Sequence, residues 1–263
     1  MSPDPLPTLF VSHGAPILPL EPIPARDFLS GIGSRYPDAK AILCISAHWE
    51  TLHPAVSAIA EPETIHDFYG FPPELYRITY PARGAPDLAG HVASLVNAAG
   101  AGCDIDGDRG LDHGAWVPLM LMYPKAEVPV IQLSIQHSLD PRHHMQLGEA
   151  ISPLRNEGVL VIGSGNAVHP LGDPYASLGE GAPTEGWAVE FDDWLAGAVT
   201  SGDQESLLQY RARAPHARRA HPRPDHYMPL LAAFGAAGPG ARGTVIHRSW
   251  QWGDLSMAAY EFR

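Results

Sequence analysis

The chain reads as an α/β protein: a single three-layer α/β/α domain, residues 1–263, built around a mixed but mostly parallel central sheet. Three observations predict this. Short, nearly continuous Val/Ile/Leu runs recur along the chain, as in strands buried on both faces. Longer stretches with helical spacing lie between them, and strands alternating with helices build a parallel sheet covered on both sides. No internal repeat and no low-complexity linker divides the 263 residues, a length that one large domain accommodates.

Taken in order, "TLFVS" (8–12) is the first strand and runs into His13. "AILCIS" (41–46) is the second and runs into Ala47 and His48. "PDLAGHVASLVNAAG" (86–100) reads as a helix stopped by Gly100, since glycine enters the left-handed conformation that ends helices. "VPVIQLSI" (128–135) is a strand leading to Gln136 and His137. "MQLGEAISPLRNEG" (145–158) is a helix closed by Gly158, and "VLVIG" (159–163) a strand followed by "SGNAVH". "WAVEFDDWLAGAVTSG" (187–202) is a helix stopped by Gly202, and "SLLQYRAR" (206–213) is another. In "AHPRPDHYMPLL" (220–231) three prolines stiffen the backbone in front of an amphipathic helix, with Pro224 in its first turn and Asp225 at its positive end. "GAAGPGARG" (235–243) reads as a loop before a last strand, "TVIHRSW" (244–250).

Composition narrows the function classes. Hydrophobic residues make up 45% and charged residues 17%, which sustains a core and excludes disorder. The formal net charge of −12 argues against nucleic acid or an anionic membrane as partner. Cys44 and Cys103 cannot form a disulfide framework, and "MSPDPLPTLF" carries no secretory signal, so the cytoplasm is the expected compartment. No apolar run reaches the roughly 18–20 residues that a membrane span requires.

The histidines carry the chemical signal. In parallel sheets, sites form beyond the carboxyl ends of the strands. Four strand candidates deliver a histidine near that end: His13, His48, His137 and His169. Parallel strands would turn these rings toward one crevice, and an antiparallel one among them would not. His13 in "VSHGAP" and His48 in "SAHWE" each leave a strand at a sharp turn. One such ring alone reads first as an ordinary loop histidine; two with the same turn chemistry are harder to explain that way. His226 stands before a helix whose positive end favours neutral imidazole, the metal-binding form. His221 competes with it, and spacing does not choose.

In "DHGAW", Asp112 either caps a helix or orients His113. "GSGN" lacks the Lys-Ser/Thr of a phosphate loop and the spacing of a dinucleotide fingerprint. Ser164 lacks the glycine at 166 that a nucleophile elbow needs. The glycines there more simply turn the chain and bring His169 to the crevice. His143 and His144 flank a helix start and read as mostly surface, Cys44 as core, and Asp192-Asp193 as a solvated helix face.

With these residues in view, the chain resembles the extradiol ring-cleavage dioxygenases of the LigB type, and within them the single-domain branch that includes 4,5-DOPA dioxygenase. The resemblance rests on "SHGAP", "SAHWE", "IHDFYGFPPELYRITYPARGAP", "DHGAWVPL", "GSGNAVH", "HPRPDHYMPLLAAFGAAG" and "GDLSMAAYEF", which occur in the family's order from residue 12 almost to the last. It implies that His13, His48 and His226 are metal ligands. It implies that His169 is a further ligand or the acid/base, and that His113 stands beside the substrate as a second catalytic histidine. The third ligand position reads histidine where two-component members of the superfamily have glutamate. A nitrogen-rich site of this kind suits Zn(II) as well as the Fe(II) that turnover requires. The implied substrates are a small aromatic diol and O2, with His169 or His113 as a base of untuned pKa near 7.

Two other classes could use the same imidazoles. A zinc hydrolase would need a catalytic glutamate, for which Glu50 after "SAHW" is the nearest candidate. A non-catalytic interaction protein of the Memo type would keep the fold without the metal. For a substrate carboxylate, Arg77 and His53 are the candidates.

Overall fold

The computed structural model describes residues 4–136, 140–170 and 183–263. The strands are β1 (Thr8–Ser12), β2 (Ala41–Glu50), β3 (Ala55–Ser57), β4 (Asp104–Asp106), β5 (Val130–Ile135), β6 (Val159–Gly165), β7 (Gly243–His247) and β10 (Ala259–Phe262), with a separate small pair, β8 (Trp250–Gln251) and β9 (Leu255–Ser256). Among the described residues they form an eight-stranded sheet in the order β4-β3-β5-β2-β6-β1-β10-β7. The four strands read most directly from the sequence are neighbours at its centre, and β5, β2, β6 and β1 are all parallel. The sheet turns mixed toward its margins, where β10 runs antiparallel to β1 and β3 antiparallel to β5.

Helices cover both faces: α1 (Pro24–Ile32), α2 (Pro86–Ala98), α3 (His113–Met122), α4 (Pro141–Ile151), α5 (Gly186–Ser201), α6 (Gln204–Leu208), α7 (Tyr210–Arg213), α8 (Ala217–Ala220) and α9 (Met228–Ala236). Successive strand side chains point to opposite faces. Leu9, Val11, Ile42, Cys44, Leu160 and Ile162 pack with α1 and α3. Phe10, Leu43, Ile45, Val159 and Val161 pack with α2, α4, α5 and α9. Both faces are buried, so the central strands carry continuous apolar runs with no polar alternation. No helix among the described residues is long and apolar enough to cross a membrane.

Several elements depart from the sequence reading. The helix after "PRPDH" starts at Met228, with Pro229 in its first turn. Pro224 lies in the preceding turn, where its carbonyl accepts the N–H groups of Tyr227 and Met228. That helix is also not amphipathic. Every residue of α9 is buried, because it lies against the sheet and under α4, and a helix covered all round is apolar all round.

The helix expected at 145–158 begins at Pro141, because the Asp140 side chain accepts the His143 N–H at 3.1 Å and caps it. It gives way at Ile151 to a 3-10 turn over Ser152–Glu157, since Pro153 lacks the N–H that an α-helix would donate to Glu149. The segment 206–213 splits at Gln209 into α6 and α7.

Two polar expectations also change. His144 is fully buried, its Nε2 accepting the Gln136 backbone N–H at 2.9 Å. Asp192 is buried too, and accepts from Arg248 Nε at 2.8 Å and Ser256 Oγ at 2.7 Å. A charged pair on one helix therefore divides, with Asp193 exposed and Asp192 tying α5 to the chain around β7 and β9.

The glycines of "GSGN" serve close packing. A Cβ on Gly165 would stand 2.2 Å from the carbonyl oxygen of His226, and Asn166 donates its N–H to that same oxygen at 3.2 Å. The end of β6 and the segment carrying His226 thus meet backbone to backbone. Gly165→Ala should push them apart and cost about 1–3 kcal/mol, the usual range for overpacking. Urea denaturation of the purified variant measures this, and a midpoint equal to that of the parent chain would contradict the packing described.

Candidate metal centre

The carboxyl ends of three neighbouring strands finish at one level, with Ser12 beside Gly165 and Ser164 beside Ser46. His13 follows β1 directly and donates its N–H to the Gly165 carbonyl at 2.9 Å. Gly14 then turns the chain at φ +65°. The turn is held by Gln251, whose Oε1 accepts the Ala15 N–H at 3.0 Å while its amide donates to Glu21. His48 lies inside β2, not beyond it. The register of β2 shifts between Ile45 and Glu50, and an irregularity of this kind re-aims a side chain next to a site. His113 opens α3, His169 follows β6 by four residues, and His226 precedes α9. These five side chains line one cavity of about 200 Å³.

The other candidates lie elsewhere. His221 is buried with its Nε2 on the Ala167 carbonyl at 2.9 Å, and its ring packs against Phe191, Tyr210 and Tyr227. Of the two histidines that spacing left open, His226 lines the cavity and His221 does not. Arg77 and His53 are exposed and do not line the cavity. Glu50 meets Arg223 at 2.7 Å and also stands outside the lining, so the acid that a hydrolase would need is absent from its expected place. His137 falls outside the described residues.

Inside the cavity the rings are close. Centroid separations are 5.0 Å for His13–His48, 5.2 Å for His13–His226 and 4.9 Å for His48–His226. His113 sits 3.9 Å from His48 and 5.4 Å from His13. His169 stacks on His226 at 3.5 Å with the ring planes only 4° apart. Nitrogens of His13, His48 and His113 lie within 4.8 Å of one another. The Nε2 atoms of His13 and His48 are 3.1 Å apart. Two nitrogens each about 2.0–2.1 Å from a common ion stand about 2.9–3.4 Å apart for bond angles between square and tetrahedral, so this spacing matches shared ligation.

His13, His48 and His113 each face a polar partner, and the "DHGAWVPL" motif supplies much of the aiming. Pro118 lies inside α3 and has no N–H, so the carbonyl four residues earlier, on Gly114, loses its helical donor. Ser164 Oγ donates to that carbonyl instead. The same oxygen lies 3.0 Å from His13 Nδ1, and its own proton is already given to Gly114. His13 must therefore donate from Nδ1, which leaves the Nε2 lone pair facing His48. Ser164 is a buried orienting group and no nucleophile.

The carboxylate beside the His113 ring belongs to Asp67, and of the two roles its sequence context offered Asp112 takes that of helix cap. It caps α3 through the Ala115 N–H, and it accepts from Ser46 at 2.6 Å and Arg109 at 2.8 Å, which fixes the helix end that presents His113. Asp67 lay unremarked within the quoted "IHDFYGFP" block. Its Oδ1 accepts the His113 backbone N–H at 2.9 Å and stands 3.0 Å from His113 Nδ1, while Oδ2 is 3.6 Å from His48 Nδ1. Nothing in sequence marked it, because the histidines it serves are distant along the chain.

Burial, and then the neighbouring imidazoles, hold His13 and His226 well below the usual histidine range. His48 is lowered likewise by burial and then His113, against the opposing pull of Asp67. At His226 the cause is thus burial and crowding more than a helix end, since α9 starts two residues later. Burial also pulls His169 down to about 4, so it is not the untuned base near 7 that the sequence suggested. Asp67 moves the other way: burial alone would raise it, but the hydrogen bond from His113 and the nearby rings bring it well below the usual carboxylate range. His13, His48, His169 and His226 are therefore neutral at pH 7. His226 Nδ1 stands 3.2 Å from Asp225 Oδ1, and its Nε2 is buried without a hydrogen-bond partner, an arrangement that costs stability unless something binds there. The donor set fits a divalent ion.

Residues 8–263 match the family model described as the catalytic LigB subunit of aromatic ring-opening dioxygenase. The chain is 48% identical over 262 residues to "4,5-DOPA dioxygenase extradiol" of Beta vulgaris, covering 97% of this chain and 96% of that protein. It is 35% identical to the protein of the same name from Escherichia coli (strain K12), covering 99% and 96%. The crystal structure of an uncharacterized protein from Escherichia coli K12 superposes with a TM-score of 0.77 at 29% identity, covering 97% of this chain and 99% of that one. The fold, the imidazole cluster and these matches agree: the chain belongs to the LigB family of aromatic ring-opening dioxygenases and is a metal-dependent extradiol ring-cleaving enzyme.

Proposed function

We propose that this enzyme opens the ring of a catechol bearing a DOPA-like side chain, at the bond next to the diol, with Fe(II) held by His13, His48 and His226. Zn(II) suits the same nitrogen set and competes for it. The observation that carries the reading is the meeting of these three neutral rings, each within 5.2 Å of the others, with the buried Nε2 of His226 left without a partner. His226 is preferred to His113 as third ligand because "PDHYMPL" matches the third-ligand motif of the family; both rings have a carboxylate behind Nδ1, Asp225 at 3.2 Å from His226 and Asp67 at 3.0 Å from His113. A metal ion binds near the plane of an imidazole ring. The planes of His226 and His169 are parallel and 3.5 Å apart at their centroids, so the two rings are stacked face to face and would not both present a nitrogen to one ion. His169 is accordingly assigned to proton handling and not to a fourth ligand position.

When bound, ferrous iron supplies the redox chemistry that allows O2 to react with a closed-shell ring. The chain's own residues do the rest. His113 keeps Nδ1 toward Asp67, which leaves Nε2 to accept a catechol proton while the carboxylate stabilises the resulting imidazolium. His169 stands beside it as the second proton-handling ring. Phe71 and Leu255 form apolar walls of the cavity that flank an aromatic ring and keep water from it. In this reading the whole matched length acts as one domain, and the unpaired thiols of Cys44 and Cys103 are in keeping with a cytoplasmic setting.

Oxygen uptake measured with a panel of catechols after anaerobic loading with Fe(II) should accompany formation of a yellow ring-opened product. The zinc-loaded protein should consume no oxygen. Either His113→Ala or His169→Ala should lower kcat by about 10²–10⁴-fold, and ring opening undiminished in both variants would refute their roles. His48→Ala should lose bound metal, seen as a fall in metal-to-protein ratio by elemental analysis of folded protein. Ser164→Ala should keep the fold but lower metal affinity about 10–100-fold, the usual range for a group that orients a ligand; competition against a chromogenic chelator reads this.

A further inference from the structure

We propose that Asp254 makes the enzyme selective for catechols whose side chain carries an ammonium group. The inference rests on the dioxygenase reading and concerns how the same cavity chooses among catechols. Apart from the imidazoles, Asp254 is the only ionisable side chain among the described residues lining it, and no Lys or Arg lines it. A substrate carboxylate would find no cation there and would face an anion.

Asp254 is poised for a positive partner. Its carboxyl is raised above the usual range, first by burial and then by the nearby charge of Glu185, and is only partly relieved by Arg219. Arg219 itself is engaged elsewhere, 3.9 Å from Glu185 and stacked 4.1 Å over the Trp187 ring. A partly desolvated carboxylate without a close counter-ion gains most from a cation delivered by a ligand.

Trp252 stands in the same wall. It adopts the left-handed conformation at φ +53°, unusual for a bulky residue, and Gly253 follows at φ +86°. The turn is fixed by the Glu185 N–H, which donates to the Gly253 carbonyl at 2.9 Å. The β8–β9 connection thus presents an indole and a carboxylate side by side to the cavity. Both groups attract an ammonium ion. In a molecule such as DOPA, the amine and not the acid would be the end the enzyme holds.

Three catechols of similar size test this: 4-(2-aminoethyl)catechol, 4-ethylcatechol and 3-(3,4-dihydroxyphenyl)propanoate. On the iron-loaded enzyme kcat/KM should fall in that order, mainly through KM. Asp254→Asn should reduce kcat/KM for the amine about tenfold more than for the neutral catechol, the scale of one hydrogen bond to a charged group. Asp254→Glu should retain part of the preference. Calorimetric binding of the same three compounds to the zinc-loaded protein should give the same order without turnover. If binding follows that order while the iron form opens no ring, the dioxygenase reading fails and the role of Asp254 stands. An order unchanged in Asp254→Asn, or an equal loss on all three compounds, overturns the proposal.

Discussion

A single carbonyl without a helical donor ties the centre together. Pro118 cannot supply the N–H that the Gly114 carbonyl would normally accept in α3, and Ser164 at the end of β6 supplies a hydroxyl proton in its place. That commitment decides the tautomer of His13 at the end of β1. Three elements that share no local sequence are thereby joined through one oxygen. The outcome is a lone pair pointed at a neighbouring ring, which is the property a metal centre needs. A proline inside a helix usually weakens it; here the freed carbonyl becomes part of the site.

The same logic extends around the cavity. Asp67 binds the backbone of His113 and faces two rings, and Asp112 fixes the helix end through Ser46, Arg109 and Ala115. His13 and His113 each have one ring edge held from behind, by Ser164 and Asp67, and the other edge is left toward the cavity. Buried neutral imidazoles crowded to about 5 Å cannot be protonated together, so the fold keeps them as bases by excluding water and by mutual repulsion. Buried nitrogens left without partners cost roughly 1–3 kcal/mol each. Whatever binds them also stabilises the folded chain, by mass action on the native state.

The β8–β9 turn and the "SHGAP" turn are two sides of one construction. Gln251 on β8 holds the turn after His13, and Trp252 and Asp254, just after it along the chain, line the same cavity. Metal-side geometry and the proposed substrate grip therefore share a support, although about 240 residues of sequence separate them.

The central strands, their parallel direction and the approach of His13, His48 and His169 to one crevice were legible in the sequence, because burial on both faces writes itself as unbroken apolar runs and each run ends in a turn. Helix stops at Gly158 and Gly202 were legible for the same local reason, since a left-handed residue ends a helix wherever it stands. The start of α9, its burial all round, and the buried states of His144 and Asp192 were not, because what covers a side chain is contributed by other elements. The marginal strands β3 and β4 are three residues each, too short to show a period. The place of His226 in the cavity and of His221 outside it, the service of Asp67 to two histidines, and the Pro118–Ser164–His13 relay exist only once distant segments are folded together. Sequence determines which residues are able to do this chemistry, through residue type and local turn. Tertiary structure decides which of them do, because hydrogen-bond direction, desolvation and ring-to-ring distance are properties of neighbours in space.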